Sequence, residues 1–288
     1  MRALPAWLVL VACTHALRAG CEEFWARPVS GGKLILSSFE SKVLNEQRRV
    51  MIQLPERYPR EPDRRYPVVY VLDGSSQAPH TARSAALLAR MGFMPELIVV
   101  GVPNVRGGRE RDYTPPFMRR DHEDPASAPG AGDTFLAFLR SELIPHVERE
   151  YRTSGVRMLA GHSRGGLFAT YSLLTAPELF AARFVHSAPL WREDAVLVSK
   201  LAELLKARPD LEGFLYLSIG SEENENITRA HHAARNVLSA TKLPRFRFDA
   251  DVVAGADHQR NGEMATPLGF AALYRGWRPD APPAAAKR

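Results

Sequence analysis

Gly161-His162-Ser163-Arg164-Gly165 is a G-x-S-x-G string, and its chemistry is that of a serine nucleophile. A serine hydroxyl reacts poorly until a base takes its proton, so the chain must also supply a histidine and a carboxylate to orient it. The string itself predicts a sharp strand-to-helix turn that lifts the hydroxyl above a sheet. Glycines at both ends permit the turn, because a Cβ there would crowd the adjoining strand or helix. Gly166 adds a third small residue for close helix packing. An incidental serine in a glycine-rich turn is the plain alternative, and the partners decide between the two.

In a fold of this type the partners follow in the order Ser, acid, His. His258, in Gly255-Ala256-Asp257-His258 just past the last predicted strand, is the expected base. The pair His231-His232 falls inside a predicted helix on the flank of the sheet and reads as solvated surface. The acid is expected where Ile219-Gly220-Ser221-Glu222-Glu223-Asn224 ends the preceding strand. Glu223 is the choice and Glu222 its rival. Asp249 and Asp251 are poorer candidates, because they lie inside a predicted strand. Acyl transfer also needs two N–H groups aimed at the developing oxyanion. One is expected from Arg164, the residue after the nucleophile, and the other from Ser75, after Leu72-Asp73-Gly74.

The elements that position these residues are legible as periodicities. Lys33 to Ser41 and Arg48 to Leu54 alternate as a hairpin would. Residues 67–72 and 97–102 are continuous apolar runs, the pattern of strands buried on both faces of a parallel sheet. Short strands are predicted at 157–160, 214–219 and 246–253. Helices are predicted at 133–151, 167–174, 193–207, 228–240 and 263–274. This alternation implies right-handed crossovers and one open, mostly parallel sheet flanked by helices, an α/β-hydrolase fold with no large separate cap domain. The domain is expected to span residues 22–276, with 277–288 as a frayed tail.

The resemblance these motifs carry is to the putative-esterase family of α/β-hydrolases. Its bearers are Val69-Tyr70-Val71-Leu72-Asp73-Gly74, Val99-Val100-Gly101-Val102-Pro103-Asn104, Arg111-Asp112-Tyr113-Thr114-Pro115, the elbow from Gly161 to Gly166, and Ser187-Ala188-Pro189-Leu190-Trp191. The family includes siderophore, feruloyl and S-formylglutathione esterases and the antigen 85 mycolyltransferases. The resemblance covers roughly residues 30 to 276 and implies that the acid lies three residues after the strand-end glycine, at Glu223. It also implies that the second oxyanion donor follows the Asp-Gly pair, at Ser75. Ala188 departs from the usual string, which has a second serine. The Arg-Asp-Tyr-Thr-Pro segment is most similar to the siderophore-esterase group, whose substrates are anionic catecholate lactones. Arg106, Arg109, Arg111, Arg119 and Arg120 surround it and would form a basic mouth; with Asp121 to Asp124 they equally make a solvated loop of mixed charge. Arg111 and Trp191 are the expected substrate contacts, and core or lid packing is the alternative for Trp191.

The 288 residues are 45% hydrophobic and 24% charged, which excludes a disordered, collagen-like or coiled-coil chain. The net charge of +6 is spread without a basic run or an aromatic-interleaved stripe, so nucleic acid is not an expected partner. No H-E-x-x-H, paired-cysteine or phosphate-loop string calls for a metal or cofactor. A small-molecule ester is the expected partner. An acyltransferase of the antigen 85 type, or a hydrolase fold kept only for binding, is the alternative to hydrolysis.

Met1-Arg2 and the apolar stretch from Ala3 to Ala12 read as a secretory leader within residues 1–21, too short to span a bilayer. Leu10-Val11-Ala12-Cys13 resembles a lipoprotein cleavage box, so membrane attachment is expected only through a lipidated Cys13; ordinary cleavage near Ala16 or Ala19 is the alternative. Cys21 then has no disulfide partner. The expected location is outside the cytoplasm.

Overall fold

The structure, a computed structural model, describes residues 32–278. The leader, both cysteines and the end of the tail lie outside the described residues. Among the described residues, no helix is long and apolar enough to cross a membrane.

An eight-stranded sheet runs in the order β1-β2-β4-β3-β5-β6-β7-β8. The strands are β1 Leu34–Ser41, β2 Glu46–Gln53, β3 Tyr66–Leu72, β4 Ile98–Val102, β5 Thr153–His162, β6 Ala182–His186, β7 Gly213–Gly220 and β8 Phe246–Val253. The expected hairpin is β1–β2, paired antiparallel from Leu34 with Gln53 to Ser41 with Glu46. From β4 across to β8 every pairing is parallel. The apolar run in β3 faces two cores. Val68, Tyr70 and Leu72 pack on one side with Val100, Leu159 and Phe168. Val69 and Val71 pack on the other with Ala78, Ala82, Met158 and Phe184. Alternate residues of a strand point to opposite faces, so covering both faces with helices is what makes an unbroken apolar run stable.

Among the longer elements, two differ from the sequence expectation by omission. Helix α1 (Gly74–Arg90) opens with Gly-Ser-Ser and contains Pro79, a composition that hides a helix. Strand β6 carries Arg183, which interrupts its apolar pattern although the residue is buried. Its guanidinium is satisfied locally: Nη1 donates to the Phe180 carbonyl and Nη2 to that of Ala176, both at 2.8 Å, and Nε donates to Ser172 Oγ at 3.0 Å. The helix expected over 133–151 is α2 (Gly132–Phe138), a widened π turn (Leu139–Leu143) and α3 (Ile144–Glu150). Pro145, which has no N–H to donate, follows the turn.

The remaining helices follow their predicted spans: α4 (Arg164–Thr175), α5 (Arg192–Ala207), α6 (Glu225–Ala240) and α7 (Asn261–Leu273). Glu193, Asp194 and Ala195, at φ 47°, 53° and 57°, make a left-handed turn before α5 becomes regular. His231 corrects the sequence reading, because it is 4% exposed and packed into the α6 side of the fold rather than solvated.

The Arg109–Pro115 segment is bolted to the sheet by charge. Arg48, 1% exposed, is clamped between Asp112, also 1% exposed, and Glu46, and stacks over Phe135 and Phe138 at 5.4 and 5.5 Å. Removing one partner of a buried pair leaves the other charge desolvated. Asp112→Ala is therefore expected to lower unfolding free energy by about 3 kcal/mol, read as a lower urea midpoint at unchanged m.

Candidate active site

Ser163 stands between the C-terminal end of β5 and the first residue of α4, with φ 54° and ψ −121°. A non-glycine residue pays for this left-handed backbone only where its surroundings enforce it. The enforcement is steric: a Cβ on Gly161 would lie 2.2 Å from the Gly165 carbonyl oxygen, and one on Gly166 3.0 Å from the Ala188 Cβ. The Ser163 N–H donates to the His186 carbonyl at 2.8 Å, tying the turn to the next strand.

Glu223 and His258 arrive on the turns that leave β7 and β8, and those turns are pressed together. A Cβ on Gly220 would lie 2.0 Å from the Ala256 carbonyl oxygen. That carbonyl accepts the Glu222 N–H at 2.9 Å, while Ser221 Oγ accepts the Gly255 N–H at 2.8 Å. The side chains meet accordingly. His258 Nδ1 lies 3.0 and 3.2 Å from the two Glu223 carboxylate oxygens, and Nε2 lies 3.0 Å from Ser163 Oγ. With Nδ1–H donating to Glu223, Nε2 is left as an acceptor for the serine hydroxyl. The Glu223 side chain is fully enclosed and His258 is 32% exposed. Glu222, the rival acid, is exposed. Asp249 and Asp251 pair elsewhere, with Arg275 and with the Tyr216 hydroxyl.

Burial pushes the Glu223 carboxyl up, but hydrogen bonds from His258 and Ser187 outweigh it and hold the group below its ordinary value. Ser187 was not among the sequence-derived site residues. Its hydroxyl donates to Glu223 and accepts from Asn261 Nδ2 at 2.8 Å. His162 Nε2 donates to the His258 carbonyl at 2.6 Å, fixing the His258 backbone. Ser187 and His162 fall within strings that carry the resemblance, without a role assigned to either; a buried asparagine on α7 leaves no sequence signal.

Arg164 and Ser75 each lie in the first turn of a helix, where N–H groups lack partners within the helix. The two turns touch, since a Cβ on Gly165 would lie 3.3 Å from Leu72 Cβ and from Asp73 Oδ2. The Arg109–Pro115 segment braces both: the Tyr113 hydroxyl accepts the Asp73 N–H at 3.0 Å, Arg109 grips the Asp73 carboxylate at 2.7 and 3.0 Å, and Thr114 Oγ1 accepts from Arg164 at 3.0 Å. Two arginines of the expected basic mouth are thereby engaged internally. Arg109 serves Asp73, and Arg111 pairs with Glu46 and Asp112 at 2.7 Å each. Trp191 packs edge-on against His122, with ring centroids 4.9 Å apart, and with Arg119, Glu193 and Asp194 they line an open depression.

A parallel sheet with a strained serine at one strand end, and a histidine and carboxylate from later strand ends, defines an α/β-hydrolase architecture. Residues 41–278 match the family described as Putative esterase, and the chain belongs to that family. It is similar to the ferri-bacillibactin esterase BesA of Bacillus subtilis, at 29% identity over 168 residues, 53% of this chain and 58% of that protein. A siderophore enterobactin esterase of Emericella nidulans is 29% identical over 179 residues, 54% of this chain and 57% of that protein. The chain thus spans little more than half the length of these relatives. Among solved structures, an IroE-like serine hydrolase from Shewanella oneidensis superposes with a TM-score of 0.72 at 27% identity, covering 84% of this chain and 80% of that one. The BES protein from Bacillus cereus shares the fold, with a TM-score of 0.73 at 24% identity, covering 83% of this chain and 94% of that one.

Burial around the site also sets the acid sensitivity of the fold. Desolvation pushes His80, His162 and His231 down to about 4 and His186 to about 3. The unfolded chain protonates these rings near pH 6.5, before the folded protein does. Stability conferred by the neutral rings is therefore present above about pH 6.5 and lost as pH falls towards about 4. We expect urea midpoints to drop steeply across that window, and His231→Gln to make the slope shallower.

Proposed function

We propose that the protein is a serine carboxylic-ester hydrolase working through an acyl-enzyme, with Ser163, His258 and Glu223 as the triad. The observation that carries this reading is the continuous hydrogen-bond path from Ser163 Oγ through His258 to the enclosed Glu223 carboxylate. In the first half-reaction Ser163 Oγ attacks the ester carbonyl as His258 Nε2 takes its proton. The N–H groups of Arg164 and Ser75 hold the oxyanion that forms. Collapse expels the alcohol, which receives the proton from His258, and leaves the acyl group on Ser163. Water then attacks with His258 again as base, releasing the acid and restoring the serine. Glu223 keeps the imidazole in the Nδ1–H tautomer and offsets the charge of the imidazolium.

The siderophore esterases among the relatives support extending the reading to siderophore-type lactone esters as substrates. A ferric catecholate trilactone should then be opened with higher kcat/KM than a p-nitrophenyl ester. Export belongs to the same proposal and is tested by whether the full chain leaves the cytoplasm and a chain lacking residues 1–21 does not.

With short p-nitrophenyl esters, Ser163→Ala is expected to lower kcat by about 10⁴-fold or more. Glu223→Gln, which spoils the tautomer but keeps the shape, should cost about 10³–10⁴-fold. Glu222→Gln should stay within about threefold of wild type, as expected of an exposed side chain away from the path. Equal turnover by wild type and Ser163→Ala would sink the reading.

A further inference from the structure

Two guanidinium groups that meet at the Arg120 carbonyl, one of them on the residue after Ser163, have no adequate counter-ion. Arg192, 2% exposed, donates through Nη2 to the Arg119 carbonyl at 2.5 Å and to the Arg120 carbonyl at 3.4 Å. Its Nε and Nη1 are buried with no partner. Arg164 directly follows Ser163, and its Nη1 donates to the same Arg120 carbonyl at 2.8 Å. Its nearest carboxylate, Glu110, is 3.9 Å away. Two cations thus converge on one neutral acceptor. Desolvation, with the Arg164 charge beside it, pushes Arg192 down to about 10, and desolvation also lowers Arg164. Elsewhere the same region is balanced, with Arg109 on Asp73 and Arg119 on Glu193.

A buried guanidinium that lacks a carboxylate and has two nitrogens unbonded is a cost that brings the fold no stability. An arginine pair of this kind fits a planar oxyanion, which accepts from both forks. Glu110, Asp121 and Glu193 stand around the pair and reduce its field, so a monoanion suits it better than a dianion. Asp121 of the exposed Asp121–Asp124 stretch stands near both charges, and His122 of the same stretch lines the depression beside Trp191.

We infer that Arg164 and Arg192 form a subsite for a carboxylate carried by the substrate close to the scissile ester. This deepens the esterase reading and rests on it for the kinetic test alone. The carboxylate would take the unpartnered Arg192 nitrogens, and it would orient the ester over Ser163.

The experiment compares wild type with Arg192→Met on two matched ester pairs. Monophenyl adipate against phenyl hexanoate places the charge on the acyl side, and 4-carboxyphenyl butyrate against phenyl butyrate places it on the alcohol side. Wild type should favour at least one anionic ester by tenfold or more in kcat/KM, chiefly through KM, and Arg192→Met should bring that ratio to within about twofold of unity. A wild-type ratio near one for both pairs, or a ratio unchanged in the variant, overturns the subsite. Thermal melts carry the test without turnover. Adipate and benzoate are each added to Ser163→Ala and to Ser163→Ala/Arg192→Met; at least one should raise Tm in the first and neither in the second. Ligand-free Arg192→Met should melt at or above wild type, since an uncompensated charge is gone. A lower Tm together with no carboxylate-induced shift in Ser163→Ala would make Arg192 a structural tie between loops and end the proposal, whatever the esters show.

Discussion

Everything at the site depends on one steric constraint, the left-handed backbone of Ser163 where β5 gives way to α4. The strand end and the helix start approach so closely that only glycine fits at 161, and the serine is pushed out along the C-terminal edge of the sheet. The strain is borne because the turn is held by neighbours it does not choose: the carbonyl of His186 on β6, and Leu72 and Asp73 at the end of β3. A parallel sheet is what makes such neighbours available, since all its strand ends fall on one edge.

The same edge gathers the partners, and it does so by contact between turns. Gly220 lies against Ala256, so the turns that carry Glu223 and His258 are pressed together. Behind them a layer of neutral polar groups, from His162 and His186 through Ser187 and Ser218 to Asn261, carries the hydrogen bonds that aim Glu223 and the His258 backbone. Keeping that layer neutral makes the site stiff and leaves the fold sensitive to acid.

Charge is treated in two ways within one stretch of chain. Arg109 and Arg111 are spent on carboxylates that fasten the Arg109–Pro115 segment across the two helix starts. Arg164, the residue after Ser163, and Arg192, which meets it at the Arg120 carbonyl, lack that compensation. A basic segment read from composition alone makes no such distinction, because it depends on which carboxylates the fold brings within reach.

The sequence by itself determined the sheet type, the elbow and the identities offered for base and acid. Unbroken apolar runs and flanking glycines are local consequences of being buried on both faces and of turning sharply. It missed β6, where Arg183 interrupts the apolar pattern, and α1, where Gly, Ser and Pro mask a helix held by packing. It placed His231 at the surface because a helical position says little about what lies above it. Tertiary structure alone decided that Ser187 and Asn261 stand behind Glu223 and that two nitrogens of Arg192 are left without a partner. Those outcomes depend on side chains meeting across many residues of chain, and burial and pairing at that range are properties of the packed edge, not of any local pattern.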